Sequence, residues 1–76
     1  MFYVYLIRNN KDGETYIGYT SDLRKRIKEH KEKRPELIYY EAYKNEPDAR
    51  KRERVLKQRG QAVRRLKERL KTSLKY

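Results

Sequence analysis

The sequence contains no cysteine and a single histidine, His30. Without cysteine the chain can form neither a disulfide scaffold nor a zinc finger, and it has no thiol nucleophile. One histidine also excludes a histidine-rich metal site. The sequence has no run of about 18 apolar residues, which a membrane-spanning helix needs. The first ten residues lack the basic start and the small-residue cleavage site of a signal peptide. We therefore expect a cytoplasmic protein with no membrane partner.

Hydrophobic residues are also scarce. Only 36% of the 76 residues are hydrophobic, and eight of them are tyrosines. A chain of this length has room for one thin, partly aromatic core. We expect a single domain over residues 1–76 and assume a monomer, because nothing in the sequence specifies an oligomer.

Positive charge dominates the composition. The chain has 22 lysines and arginines against 11 acidic residues, for a net charge of +11, and residues 39–76 carry +8 of it. Small basic proteins typically bind a polyanion, most often nucleic acid. The alternative from charge alone is a solubilising surface without a specific partner.

The first twenty residues predict a β-hairpin. Residues 2–7 (FYVYLI) and 15–20 (TYIGYT) are rich in aromatic and β-branched side chains, as strands are. Asp12-Gly13 between them supplies the positive φ of a hairpin turn. In the first strand, even-numbered and odd-numbered residues should occupy opposite faces.

Helical patterns follow the hairpin. Asp22 can cap a helix at about residues 22–33, with Leu23 and Ile27 facing the core. Residues 36–43 predict a third strand. Asn45 can cap a second helix that has Pro47 in its first turn. Its helical pattern runs from Asp48, Gly60 interrupts or caps it, and a last basic helix follows. The order β-β-α-β-α-α predicts a small α/β (α+β) sheet with helices packed on it.

Glu53 is an unusual residue because it lies on the stripe of its helix that should face the sheet, with Ala49 and Leu56. A carboxylate there needs a partner, since burying an unpaired charge is costly. One interpretation is an ion pair with Arg24, Arg50 or Arg52. The other is a ligand for a hard cation, because Mg²⁺ often uses only one or two protein carboxylates.

Arg26, His30 and the strand tyrosines are further candidates with ordinary alternatives. Arg26 and His30 are separated by one helical turn, and Arg26 could be a solvated residue, a phosphate contact or a stabiliser of a phosphoryl transition state. Tyr5 and Tyr16 could simply pack in the sheet, or they could take part in catalysis.

Together these residues resemble the GIY-YIG nucleases. The triplets Tyr3-Val4-Tyr5 and Tyr16-Ile17-Gly18, separated by ten residues, are similar to the two signature triplets, although Tyr3 stands where the signature has glycine. Arg26, His30 and Glu53 fall where the family has its catalytic arginine, a histidine and its metal-binding glutamate. The resemblance covers about residues 2–70. It implies a small three-stranded antiparallel sheet flanked by helices.

The resemblance also implies a function, a divalent-metal-dependent DNA endonuclease that could act in repair or recombination. Glu53 would hold one Mg²⁺ or Mn²⁺. Tyr16, alone or with Tyr5, would act as general base, while Arg26 would stabilise the phosphorane and His30 would orient the phosphate. The alternative is a nucleic-acid-binding module on the same fold without catalysis.

DNA is expected as the partner more than RNA. We expect Gly18 to be needed because a side chain there would crowd a bound phosphate, and Tyr19 to contact substrate. The strongly basic residues 49–76 should carry most of the remaining contacts. The predicted nucleic-acid-binding residues are Gly18, Tyr19, Arg24, Arg50, Arg52, Lys57, Arg64 and Arg65. Compared with the family, the connection at residues 31–35 is short, which bears on how substrate is held.

Overall fold

The protein folds as a three-stranded antiparallel sheet with helices on both faces. The structure is a computed structural model that describes residues 1–30 and 35–75. The strands are β1 (Phe2–Asn9), β2 (Thr15–Thr20) and β3 (Pro35–Tyr43). The helices are α1 (Leu23–Glu29), α2 (Glu46–Gln58), α3 (Gly60–Arg69) and α4 (Lys71–Lys75). The predicted fold class and sheet are confirmed.

The predicted hairpin is present and forms the centre of the site-bearing half of the protein. β1 pairs antiparallel with β2, and Gly13 in the turn between them has φ of +76°. The strand order β2-β1-β3 places β1 in the middle of the sheet. Four consecutive β1 residues, from Val4 to Ile7, are therefore buried.

The third strand begins at Pro35, one residue earlier than predicted, and contains an irregularity that the sequence did not indicate. Leu6 pairs with Tyr39, but the next residue, Ile7, pairs with Leu37. Ile38 is the extra residue of this β-bulge. Beyond the bulge, Tyr39, Glu41 and Tyr43 therefore share the face of the sheet that bears Val4.

The first helix is shorter than predicted. The Asp22 side chain caps it by accepting a hydrogen bond from the Lys25 amide at 3.1 Å, and the helix ends at Glu29. His30 is the C-cap, and its amide donates to the Ile27 carbonyl at 3.2 Å, which closes a tight last turn. Residues 31–33 of the predicted helix, and the short connection up to residue 34, lie outside the described residues.

The second helix begins at Glu46, and Asn45 occupies the predicted N-cap position, although its side chain makes no capping hydrogen bond. Pro47 and two acidic residues occupy its first turn, where proline is tolerated and negative charge favours the helix dipole. The predicted last helix is divided in two at Leu70, whose amide donates to the carbonyls of Leu66 and Lys67. Thr72 and Ser73, which are weaker helix formers, follow this break.

Most of the core lies between the sheet and helices α2 and α3. Val4, Ala49, Leu56 and Leu66 are its buried members. α1 covers the opposite face, where Leu23 and Ile27 are only half-buried. In residues 1–30 and 35–75, no helix is long and apolar enough to cross a membrane.

A polar network centred on Glu41 borders this core. The Glu41 carboxylate accepts hydrogen bonds from the phenols of Tyr39 and Tyr43 and from Nε of Arg52, the last at 3.1 Å. Burial opposes ionisation of Glu41, but these hydrogen bonds outweigh it and lower its pKa. Burial and the bond to Glu41 raise the pKa of Tyr43 to about 12.

We expect Glu41→Ala to destabilise the fold by about 1–3 kcal/mol, because two phenols and a guanidinium lose their shared acceptor. Since the pKa of Glu41 is below its ordinary value of 4.5 in the folded chain, this contribution is complete above about pH 4.5 and is lost as the pH falls further. Urea unfolding followed by circular dichroism measures it. Glu36→Ala is the control, since its ion pair with Arg8 involves a carboxylate that is 40% exposed. Equal losses in the two variants would contradict the expectation.

Candidate active site

A cavity of about 210 Å³ opens between the β1–β2 hairpin and helices α1 and α2. All five residues predicted to be catalytic line it, namely Tyr5, Tyr16, Arg26, His30 and Glu53. They come from two strands, two helices and one helix cap. Ile7, Ile17 and Lys57 also line the cavity and were not predicted to be catalytic.

Tyr5 is the organising side chain of this cavity. It points from the central strand towards α1 and is only 3% exposed. Its phenol oxygen accepts a hydrogen bond from Nε of Arg26 at 3.2 Å and lies 3.4 Å from Nε2 of His30. The phenol can thus donate its own proton to His30 when that nitrogen is unprotonated. Tyr5 therefore links Arg26 of α1 to His30 at the C-cap of that helix, the two residues that were predicted to contact the phosphate.

Arg26 is held by two partners at different edges of its guanidinium. Besides the Nε contact with Tyr5, Nη1 donates to Glu29 at 2.9 Å. The hydrogen bonds to Glu29 and Tyr5 raise the pKa of Arg26, so it stays charged. Its side chain is 43% exposed, which leaves it accessible to a phosphate. Glu29 was not predicted as a partner, although its i,i+3 spacing from Arg26 is a recognisable signal.

Gly18 is needed for a reason that the sequence did not indicate, while its predicted role beside a bound phosphate stays a prediction. It lies opposite Tyr5 in the β1–β2 register and is buried. A Cβ atom at this position would overlap the phenol ring and oxygen of Tyr5. The absent side chain thus makes room for Tyr5 within the protein, whereas the sequence-based expectation was room for a bound phosphate.

Tyr16 is the most exposed tyrosine of the cavity. It lies opposite Ile7, two residues before Gly18 on β2, and therefore on the same face of the sheet as Tyr5. It is 39% exposed, whereas Tyr5 is buried. Of the two phenols, Tyr16 is thus the one that a water molecule beside a bound substrate can reach.

Glu53 reaches the cavity from α2 and is paired with Lys57. The distance from Oε2 to Nζ is 3.2 Å, and the Glu53 side chain is 22% exposed. The predicted ion pair is therefore present, but the expected partners were wrong. Arg50 pairs with Glu46, and Arg52 pairs with Glu41.

The described side chains that line the cavity offer few metal ligands, which suits a cation that binds few protein groups. Among residues 1–30 and 35–75, Glu53 is the one carboxylate that lines it. Across the parts of the chain that the structure describes, no group of three or more His, Cys, Asp or Glu side chains could hold a metal. A single carboxylate fits Mg²⁺, which commonly completes its coordination with water and phosphate oxygens.

Tyr19 also lines the cavity, and its side chain contacts two residues of α2. Its phenol donates to Glu46 at 2.6 Å, and the Arg50 guanidinium lies 4.6 Å from its ring centroid. Burial and the hydrogen bond to Glu46 raise the pKa of Tyr19. Tyr39, which belongs to the Glu41 network and does not line this cavity, also has a raised pKa, because of burial and its hydrogen bond to Glu41.

The remaining predicted contacts are distributed over the surface. Lys57 lines the cavity, and Arg50 lies next to it against Tyr19. Arg24 borders a separate groove on α1, while Arg64 and Arg65 are exposed on α3. Arg52 is directed towards Glu41. The structure thus brings Gly18, Tyr19 and Lys57 to the cavity and places the other arginines outside it, where their role in binding nucleic acid stays a prediction.

Comparison with known proteins identifies the family. The sequence model of one protein family, described as the GIY-YIG catalytic domain, matches residues 1–67. Neither the curated proteins nor the solved structures gave a significant match. GIY-YIG domains are generally nucleases that typically use divalent metals, and their substrate is nucleic acid. Since the match covers most of the 76 residues, the chain belongs to the GIY-YIG family.

Proposed function

We propose that this protein is a divalent-metal-dependent endonuclease that hydrolyses DNA phosphodiester bonds in the cavity described above. The observation that carries the proposal is that Tyr5, Tyr16, Arg26, His30 and Glu53 line one cavity. A module that only binds nucleic acid has no need for a carboxylate among basic residues, because that carboxylate repels phosphate.

Glu53 would hold the cation, as one Mg²⁺ or Mn²⁺. Its carboxylate is partly exposed within the cavity, and its present counter-ion is an exposed lysine on a flexible stem, which a metal could displace. When bound, the ion would polarise the scissile phosphate and stabilise charge on the leaving 3′ oxygen.

Hydrolysis would proceed by attack of water on phosphorus. The water oxygen forms a bond to phosphorus, the bond from phosphorus to the 3′ oxygen breaks, and the water proton passes to the Tyr16 oxygen, which acts as general base in its phenolate form after releasing its own proton to solvent. The 3′ oxygen takes a proton from solvent, so that the products carry a 5′-phosphate and a 3′-hydroxyl. Tyr16 is assigned this role because it is the most exposed tyrosine of the cavity.

Arg26 would stabilise the extra negative charge that develops on the phosphoryl oxygens. Its Nε and one Nη group are occupied by Tyr5 and Glu29, so the guanidinium is oriented before substrate arrives. Such preorganised charge costs no rearrangement during the reaction. Tyr5 and His30 would hold the phosphate and Arg26 in place, since Tyr5 touches both Arg26 and His30.

The wider surface would bind the DNA backbone through its positive charge. Contacts from lysine and arginine to phosphate position nucleic acid without reading its sequence. This favours recognition of shape, and flaps, nicks or branched DNA in repair or recombination are the proposed substrates. We propose the cytoplasm as the location.

A cleavage assay on labelled duplex, nicked, flap, four-way and single-stranded DNA tests the proposal, with Mg²⁺, with Mn²⁺ and with EDTA. We expect products with either metal on at least one DNA and none with EDTA, and the best substrate then identifies the preferred shape. DNA that is shifted in a native gel but uncut under every condition would reject the nuclease and favour the non-catalytic binding module.

A further inference from the structure

The ammonium of Lys57 is paired with the carboxylate of Glu53, which would hold the cation of the proposed function. The ammonium nitrogen is 3.2 Å from Oε2 of Glu53, and both residues line the same 210 Å³ cavity. A divalent ion would have to bind the same carboxylate. The ammonium and the ion would then compete for Glu53 and repel each other at short range.

The exposure of the two side chains indicates which of them can move. Glu53 is 22% exposed and comes from the face of α2 that packs on the sheet, next to buried Leu56. Lys57 is 54% exposed and stands in the last turn of α2. A lysine has four rotatable carbons, so its ammonium can leave the carboxylate while Glu53 stays in place.

We infer that Lys57 is an exchangeable counter-ion of Glu53 that neutralises the carboxylate in the metal-free protein and lowers its affinity for the divalent ion. This inference rests on the proposed function, since it requires Glu53 to be the metal ligand. Lys57 is thus a positioning residue that sets the metal concentration at which the site becomes loaded.

The competing explanation is an ordinary surface pair. A glutamate followed four residues later by a lysine stabilises a helix by a few tenths of a kcal/mol wherever it occurs. Glu46 and Arg50 form such a pair on the same helix, at 3.6 Å and with both side chains about half-exposed. An ordinary pair would affect helix stability and leave metal affinity unchanged.

The experiment is a titration with Mn²⁺ alone, followed by electron paramagnetic resonance of the free ion, on the full chain without DNA. We expect Lys57→Met to lower the Kd for Mn²⁺ by about 3–10-fold, because it removes a competitor and a nearby positive charge. Lys57→Arg keeps the charge and should stay within about twofold of the wild type.

A charge-matched control and a double-mutant cycle separate the possible causes. Lys51→Met removes one positive charge from an exposed position on α2 outside the cavity, and it should leave the Kd unchanged. In a Glu53→Ala background, Lys57→Met should have no effect on Mn²⁺ binding, since there is no carboxylate to compete for.

The outcomes distinguish failure of the inference from failure of the metal site. If Glu53→Ala weakens Mn²⁺ binding but Lys57→Met leaves the Kd unchanged, or shifts it no more than Lys51→Met, the counter-ion inference is overturned and the metal site stands. If Glu53→Ala itself has no effect on Mn²⁺ binding, the metal site of the proposed function fails, and the inference fails with it.

Discussion

Replacement of Glu53 by alanine is expected to reduce cleavage more than about 100-fold while DNA binding is retained. Of the residues that the structure describes, Glu53 is the one carboxylate lining the cavity, so none of the other described lining residues offers a carboxylate in its place. Loss of an outer-shell partner alone typically costs 10–100-fold in metal affinity or activity, and loss of the ligand should cost more. DNA affinity should be equal or higher, since a negative charge is removed from a basic surface.

The measurement pairs a single-turnover cleavage rate with a fluorescence anisotropy titration of the same DNA. Glu68→Ala is the matched control, because it removes one carboxylate from an exposed position on α3 outside the cavity. It should keep the wild-type rate. A Glu53→Ala protein that cleaves at the rate of the Glu68→Ala protein would eliminate Glu53 as metal ligand.

Replacement of Arg26 by lysine is expected to lower the cleavage rate about 100- to 1,000-fold, which is the usual effect of losing a preorganised stabiliser of transition-state charge. The substitution keeps the positive charge but not the planar fork. Arg26 contacts Tyr5 through Nε and Glu29 through Nη1 at the same time. A single ammonium cannot reproduce both contacts and still present a donor to phosphate.

Because charge is conserved, the affinity for DNA should change by less than about threefold, and the loss should appear in the rate of the bound complex. Arg24→Lys is the control, since it makes the same chemical change at an exposed α1 position outside the cavity. Wild-type turnover by the Arg26→Lys protein would reduce Arg26 to a phosphate contact.

The hairpin could be predicted because its signals are local. Alternating side chains and an Asp-Gly turn act over a few residues, and both strands and the turn are found where they were expected. The cap at Asp22 was predicted for the same reason. The end of α1, the division of the last helix at Leu70 and the bulge at Ile38 were not predicted, because these features depend on how the elements pack on one another.

The site was predicted as a set of residues without its internal contacts. The family resemblance gave Tyr5, Arg26 and Glu53 as members of one site, and the structure places them around one cavity. The bonds from Arg26 to Tyr5 and Glu29, and the pairing of Glu53 with Lys57, appear only in three dimensions. Two basic residues, Arg50 and Lys57, lie three and four positions from Glu53, so the sequence could not select between them.

Gly18 illustrates the same division. The sequence showed that a glycine is present, and the structure showed that the space it leaves is filled by Tyr5. What the sequence by itself determined about this protein is the order of its elements, the faces on which the side chains of the hairpin strands lie and the excess of positive charge. These follow from periods of two and 3.6 residues and from composition. Only the tertiary structure decided which side chains meet, because contact between distant residues depends on the packing of the whole sheet against its helices.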